Sequence, residues 1–293
     1  MPRPTLQGGY ADCRDDSLYP DLWPDHGWCP SLGIQGASLR NVAHRRHPPL
    51  TLSTGNTWSV NPDPVGPAPQ YNGTSHFAQT AAAIDLTDTT VLTLAFWLYW
   101  DSFSNNDDLV LESSANFNSN QHGLIINADA SDQGGAGYAG INASGAALNS
   151  VTYPRPTAAA WHHWAFVLDR GAGAQQVRAL YIDGQPVTLT QVATTTTSGT
   201  FGSFTWNFMC RNGASLFADG RMGDFLMYKR LLGQAEAVRL YRGEHPLHRR
   251  RRGPLYVQSA PPPPPPTGPP PVPAGGGEQA VIALWSQVGL LTP

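Results

Sequence analysis

The chain has 293 residues, a formal net charge of −3 and only 13% charged residues. That balance gives no general pull toward nucleic acid, and no apolar run approaches the ~20 residues that cross a bilayer as a helix. Abundant Gly, Pro, Ser, Thr and Asn instead mark a β-rich, turn-rich chain, long enough for one large sandwich with appendages.

Residues 1–20 are polar and irregular and read as an N-terminal arm. The opening Met1-Pro2-Arg3-Pro4-Thr5 lacks the apolar core of a signal peptide, so export by that route is not expected. Residues 22–71 are punctuated by Pro and Gly, with Trp23, Trp28 and Trp58 as apolar anchors. The strongest strand signal is 88–100, where β-branched and aromatic residues predict cover on both faces. Further strands are predicted at 108–112, 123–127, 137–142, 161–168, 177–182, 186–190, 204–210 and 222–228. Asp183-Gly184 between two strand runs predicts a type I′ hairpin, whose central residues both need positive φ. A single helix is predicted over 233–241, with Glu236 at the capping-box position and Ala237, Leu240 and Tyr241 facing the sandwich. Short strands at turn-punctuated spacing indicate an antiparallel sandwich or barrel.

After Gly243 the composition shifts. Residues 247–274 form a basic and polyproline linker, whose stretch 261–273 would reach about 40 Å as polyproline II. Residues 275–293 read as an amphipathic docking peptide, with Val281, Leu284, Trp285 and Val288 at helical spacing. Arg249 and Arg250 suit an acidic protein face and complete the expected partner-docking set. One arginine run without interleaved aromatics does not predict nucleic-acid binding.

Three stretches carry a family resemblance: Trp161-His162-His163-Trp164, Ala179-Leu180-Tyr181-Ile182-Asp183-Gly184, and Gly223-Asp224-Phe225-Leu226-Met227-Tyr228. Together they resemble the concanavalin A-like lectin and laminin-G-like sandwich. The flanks sharpen this. Gly27-Trp28-Cys29-Pro30-Ser31-Leu32-Gly33, then Gly36, Leu39 and His47, is similar to the opening of laminin-G-like proteins of tailed phages. So is the closing segment 236–242 with His245-Pro246-Leu247, whereas His44-Arg45-Arg46-His47-Pro48 departs from the Gly-Asn-His-Gly turn usual in that group. The resemblance implies an all-β, antiparallel jelly-roll β-sandwich over 21–246, with one short C-terminal helix and a Pro-rich tail. It also implies a non-enzymatic virion structural or decoration protein, on capsid or tail, with other virion proteins and copies of itself as partners. Glycan binding by the sandwich would add adhesion to host surfaces. The alternative is a carbohydrate-binding or adhesion module at a bacterial cell surface.

Because some proteins of this fold are glucanases, the acids matter. Retaining hydrolysis needs two carboxylates about 5 Å apart. The four glutamates, Glu112, Glu236, Glu244 and Glu278, have no acid two positions away, so catalysis is not expected. There is no Gly-x-Ser-x-Gly elbow. His162 and His163 must point to opposite faces of a strand and read as structural. No cofactor is required by any motif. The resemblance brings in a calcium ion at the loop rim, for which the 105–108 and 127–132 loops offer oxygens and Asp129 and Asp132 are the first ligand candidates. Ordinary turn chemistry explains the same residues. For glycan binding the candidate aromatic platforms are Trp100, Trp206 and Tyr138, although strand aromatics are mostly buried. Cys13 and Cys29 have the option of pairing, Cys210 reads as a buried thiol, and the absence of a CxxC argues against structural zinc. The acceptor patterns at Asn72 and Asn142 read as chance matches.

Overall fold

The computed structural model describes residues 17–32, 36–44, 46–59, 66–103, 108–144, 147–196 and 199–247. Most of the expected arm, Cys13, the loop 104–107, and everything from 248 onward lie outside the described residues. That last region holds Arg249, Arg250, Val281, Leu284, Trp285 and Val288.

Among the described residues the strands form two large antiparallel sheets. The eight-stranded sheet runs in the order Gln185–Pro186, Val177–Ile182, Trp161–Asp169, Val91–Trp100, Asp219–Tyr228, Ala68–Asn72, Thr57–Ser59, and His26–Trp28 also pairs with Asp219–Tyr228. The nine-stranded sheet runs Thr190–Thr194, Ala147–Tyr153, Ala136–Ser144, Leu124–Ala130, Asp108–Glu112, Asn207–Phe208, Ala78–Thr80, Leu50–Leu52, Ser38–Leu39. Alternation along each strand sends one set of side chains between the sheets. Leu92, Leu94, Phe96, Leu98 and Trp100 meet Leu124, Ile126, Ala139, Ile141 and Val151 in one core. Trp28 joins it, packing against Phe208 and Phe225 at centroid distances of 5.8 and 5.7 Å.

The outer face of the eight-stranded sheet is covered too, as the doubly apolar 88–100 segment predicts. Ala95, Ala165, Leu226 and Tyr228 lie under Leu22, Leu232, Ala237 and Leu240. The helix Gln234–Tyr241 sits there, its Glu236 accepting the Gly233 N–H at 2.9 Å. Thr93 fixes the approach to it by donating to the Arg230 carbonyl and accepting from Leu232 N–H.

The expected fold class is the observed one. Asp183 and Gly184 have φ of 53° and 75°, as a type I′ turn demands. Two predicted strands are corrected. The 204–210 run breaks into Ser203–Phe204, paired with Ile84–Asp85, and Asn207–Phe208 in the nine-stranded sheet. It ends at Met209, which takes φ of 61°. The 186–190 run is a crossing: Gln185–Pro186 closes one sheet, and Thr190–Thr194 begins the edge of the other. Ala147–Tyr153 was not predicted, because its Asn and Ser hide the period of a strand whose Val151 and Tyr153 face the core.

Candidate functional site

A lateral row of polar residues crosses the outer face of the nine-stranded sheet. Ser38 is opposite Thr51, Thr51 opposite Gln79, Gln79 opposite Asn207, and Asn207 opposite Glu112. Their chain neighbours Leu39, Leu50, Leu52, Ala78, Phe208 and Leu111 point into the core, so the row faces away from it. Asn207 is locked: its amide donates to the Ser114 carbonyl at 2.8 Å and its Oδ1 accepts from Gln79 Nε2 at 2.7 Å.

Half of this face is closed. The 113–123 segment lays Phe117 over Leu109 and Ile125, beside Tyr138. The other half is an open groove of about 1000 Å³. Thr51, Gln79 and Asn207 form its floor, and Phe77, Phe204, Ser203, Asn120 and Asn212 are among the residues lining it. No charged side chain lines it among the described residues. The chemistry is amide, hydroxyl and two half-buried phenyl rings.

Glu112 ends the row but does not open into the groove. It is fully buried, accepts from Arg211 Nε at 2.9 Å and from the Phe117 N–H, and burial raises its pKa against the opposing pull of Arg211. Its carboxylate is therefore committed to holding the 113–123 segment.

The predicted site residues fare unequally. Trp100 and Trp206 are only 3% and 1% exposed and belong to the core, so neither offers a ring face to a ligand. Strand aromatics are drawn inward by the area they bury. Tyr138 does lie on the outer face, half-buried beside Phe117. The calcium pair does not fit. Asp129 is fully buried with Arg155 Nη1 at 2.7 Å, a guanidinium standing where a cation would go, while Asp132 is exposed on the turn Ser131–Gln133. Among the described residues, the His, Cys, Asp and Glu side chains that converge closely enough for a metal are instead Cys29, Asp224 and His245. His162 and His163 do diverge: His162 Nδ1 meets Asp183 Oδ2 at 2.7 Å, whereas His163 packs edge-on to Trp97 on the opposite face. Asn142 is buried, and the Asn72 carbonyl caps the backbone of Thr74, Ser75 and His76, so both side chains have structural work. Sequence reasoning missed the groove residues. A signal existed in the polar positions alternating with apolar ones at 51, 79 and 207, but the strands are two or three residues long and their register is not legible.

Comparison with known proteins gives a family profile and a set of folds. The profile described as the concanavalin A-like lectin/glucanases superfamily matches residues 72–238. No curated protein matches the sequence. Domain 4 of a GH43 extracellular arabinanase from Geobacillus stearothermophilus, in complex with arabinotriose, is similar in structure. The TM-score is 0.52 at 11% identity, over 74% of this chain and 97% of that one. The binding domain of botulinum neurotoxin serotype G gives 0.53 at 13% identity, over 75% of this chain and 51% of that one. Trypanosoma rangeli sialidase with the inhibitor DANA gives 0.51 at 13% identity, over 74% of this chain and 32% of that one. The chain thus spans about half of the toxin domain and a third of the sialidase.

Proposed function

The chain belongs to the concanavalin A-like lectin/glucanases superfamily, and from that membership we propose that it is a non-enzymatic glycan-binding module whose ligand is an uncharged oligosaccharide held in the outer groove of the nine-stranded sheet. One observation carries this reading: an open groove of about 1000 Å³ lined by amides, hydroxyls and phenyl rings and by no charge among the described residues. Sugar hydroxyls pair with amide and hydroxyl side chains, and the apolar face of a pyranose or furanose stacks on a ring. Phe77 and Phe204 supply the rings, and Gln79, held by Asn207, supplies a positioned amide. An acidic sugar would meet no compensating cation there among the described residues. Hydrolysis would need a pair of carboxylates beside the ligand, and the lining provides none among the described residues. The arabinanase domain is in complex with arabinotriose and the sialidase with DANA, which belongs to those proteins and is compatible with a sugar-binding use of the fold.

The place of work we propose is the surface of a virion, with capsid or tail proteins as partners and a cell surface as the alternative. The support is the resemblance of the flanks around Gly27 and His245, together with one contact: Ser17 Oγ donates to the Pro246 carbonyl, so residues 17 and 246 lie side by side. The test is a glycan array probed with the full chain. Uncharged oligosaccharides should bind, sialylated and sulfated ones should not, and Phe204→Ala or Phe77→Ala should weaken binding about tenfold, which is ~1.4 kcal/mol. Binding that survives both substitutions, or that selects anionic sugars, would place the ligand elsewhere.

A further inference from the structure

Cys29, Asp224 and His245 meet where the interior strand Asp219–Tyr228 changes partner from Ala68–Asn72 to His26–Trp28. Cys29 follows the strand His26–Trp28, whose Trp28 pairs with Phe225. Asp224 precedes Phe225, in the irregular stretch between Met222 and Phe225 of the long strand Asp219–Tyr228. His245 lies just beyond the helix Gln234–Tyr241. One ligand atom from each lies within 4.8 Å of the other two. Cys29 and Asp224 are buried, and the His245 side chain is 18% exposed, which gives the cluster one side toward solvent.

We propose that Cys29, Asp224 and His245 bind a borderline transition-metal ion of the zinc class, with solvent at the fourth position. The donor set decides the class. Thiolate, imidazole and carboxylate together select zinc-like ions, whereas calcium and magnesium want oxygen alone. With bonds of about 2.0–2.3 Å, tetrahedral ligands stand roughly 3.5 Å apart, so His245 Nε2 and Asp224 Oδ2, now 2.6 Å apart, open to admit the ion while Cys29 Sγ stays within reach. The carboxylate is already oriented. Ser31 donates to Asp224 through its backbone N–H at 3.0 Å and its Oγ at 2.5 Å, the kind of supporting shell that metal ligands carry.

Without metal the cluster is closed by hydrogen bonds. His245 Nδ1 accepts the Leu247 N–H at 3.2 Å, so Nε2 carries the proton and donates to Asp224 Oδ2 at 2.6 Å. The Cys29 thiol is kept protonated by burial and by the Asp224 charge. Loading then follows a balanced exchange. The thiol proton leaves to solvent, the imidazole proton passes from Nε2 to Nδ1, and Nε2, Sγ and a carboxylate oxygen turn to the ion. The exchange gives up the Leu247 N–H contact at Nδ1 and the Nε2–H bond to Asp224, which the bonds to the ion replace. A metal held this way staples the residues after His26–Trp28, the long strand Asp219–Tyr228 and the segment after the helix.

The test is a cobalt(II) titration of the reduced, chelator-stripped full chain. One equivalent should give tetrahedral visible bands and a near-ultraviolet thiolate-to-cobalt band, and zinc should displace it and raise Tm. Both bands should persist in Cys13→Ala and Cys210→Ala and vanish in Cys29→Ala. His245→Gln, at the solvent side, tests the site without emptying the core, and should lower cobalt affinity at least about tenfold. Absence of the thiolate band in the native chain, its survival in Cys29→Ala, or unchanged affinity in His245→Gln would overturn the proposal. None of these outcomes depends on the outer groove.

Discussion

His163 shows how much one buried side chain sets. It is 2% exposed, its Nδ1 has no partner, and its ring stands edge-on to Trp97 at 5.3 Å. Burial lowers its pKa to about 4, against a smaller opposing pull from Asp183, and burial likewise lowers that of His26 to about 3, helped by the nearby His47, Lys229 and His44. A histidine depressed in the folded state is protonated first in the unfolded chain. Its stabilising contribution is complete above the unfolded value near 6.5 and is lost as pH falls toward the folded value. Each such group steepens the loss by about 1.4 kcal/mol per pH unit in that window. His163→Phe keeps the ring contact and removes the orphan nitrogen. It should leave stability at pH 7 within about 1 kcal/mol and flatten the fall in urea midpoint between pH 6.5 and 4.5, leaving the part due to His26 and to His47, which burial also lowers. Equal slopes in the two proteins would show that His163 is not buried neutral. The opposed directions of His162 and His163 were legible from strand alternation alone. The burial of Trp100 and Trp206 was not, because a strand sequence does not say which of its two faces meets a second sheet. The Cys29, Asp224 and His245 meeting was beyond any spacing rule, since nearly the whole domain separates Cys29 from the other two in sequence.

At the scale of elements, legibility followed length. The strand Val91–Trp100 was read to its C-terminal end, with its start placed three residues early at 88, because ten consecutive apolar or β-branched positions leave few alternatives. The two- and three-residue strands that floor the groove carry no such signal, and pairing alone sets them in line. Turn chemistry was equally plain at Asp183-Gly184, and there the structure adds a second constraint. A Cβ on Gly184 would come within 2.9 Å of Val238 Cγ2 and 3.1 Å of Val238 Cα, on a backbone with φ of +75°. The turn is thus both a left-handed bend and the seat of the helix. Gly184→Ala should cost about 1–2 kcal/mol from the backbone conformation alone, and more if the helix cannot shift. Urea unfolding measures it, and a change below about 0.5 kcal/mol would mean that the helix moves freely over the sheet.

For the molecule as a whole, the family profile and the folding unit have different boundaries. The profile begins at residue 72 and ends at 238, but the sandwich closes only with what lies on either side. Leu22, Trp28, Leu39, Leu50 and Leu52 are each 5% exposed or less and precede residue 72. At about 2 kcal/mol for each buried side chain, their removal forfeits roughly 10 kcal/mol, which is comparable with the entire stability of a typical domain. The Tyr228 hydroxyl would also lose the Leu22 carbonyl, and Arg239 with its partner Asp21 would be cut away from opposite ends. A chain of residues 17–247 keeps all of this, together with the Ser17–Pro246 contact that ties its ends. It should therefore unfold cooperatively with the urea midpoint of the full chain, and should retain glycan binding, because every described residue lining the groove lies within it. A chain of residues 72–238 should show no near-ultraviolet circular dichroism and no binding, having lost Thr51 and Ser53 from the groove along with the core. Cooperative unfolding of that shorter chain would mean that the two sheets close without their N-terminal strands, and the groove would then need a different floor.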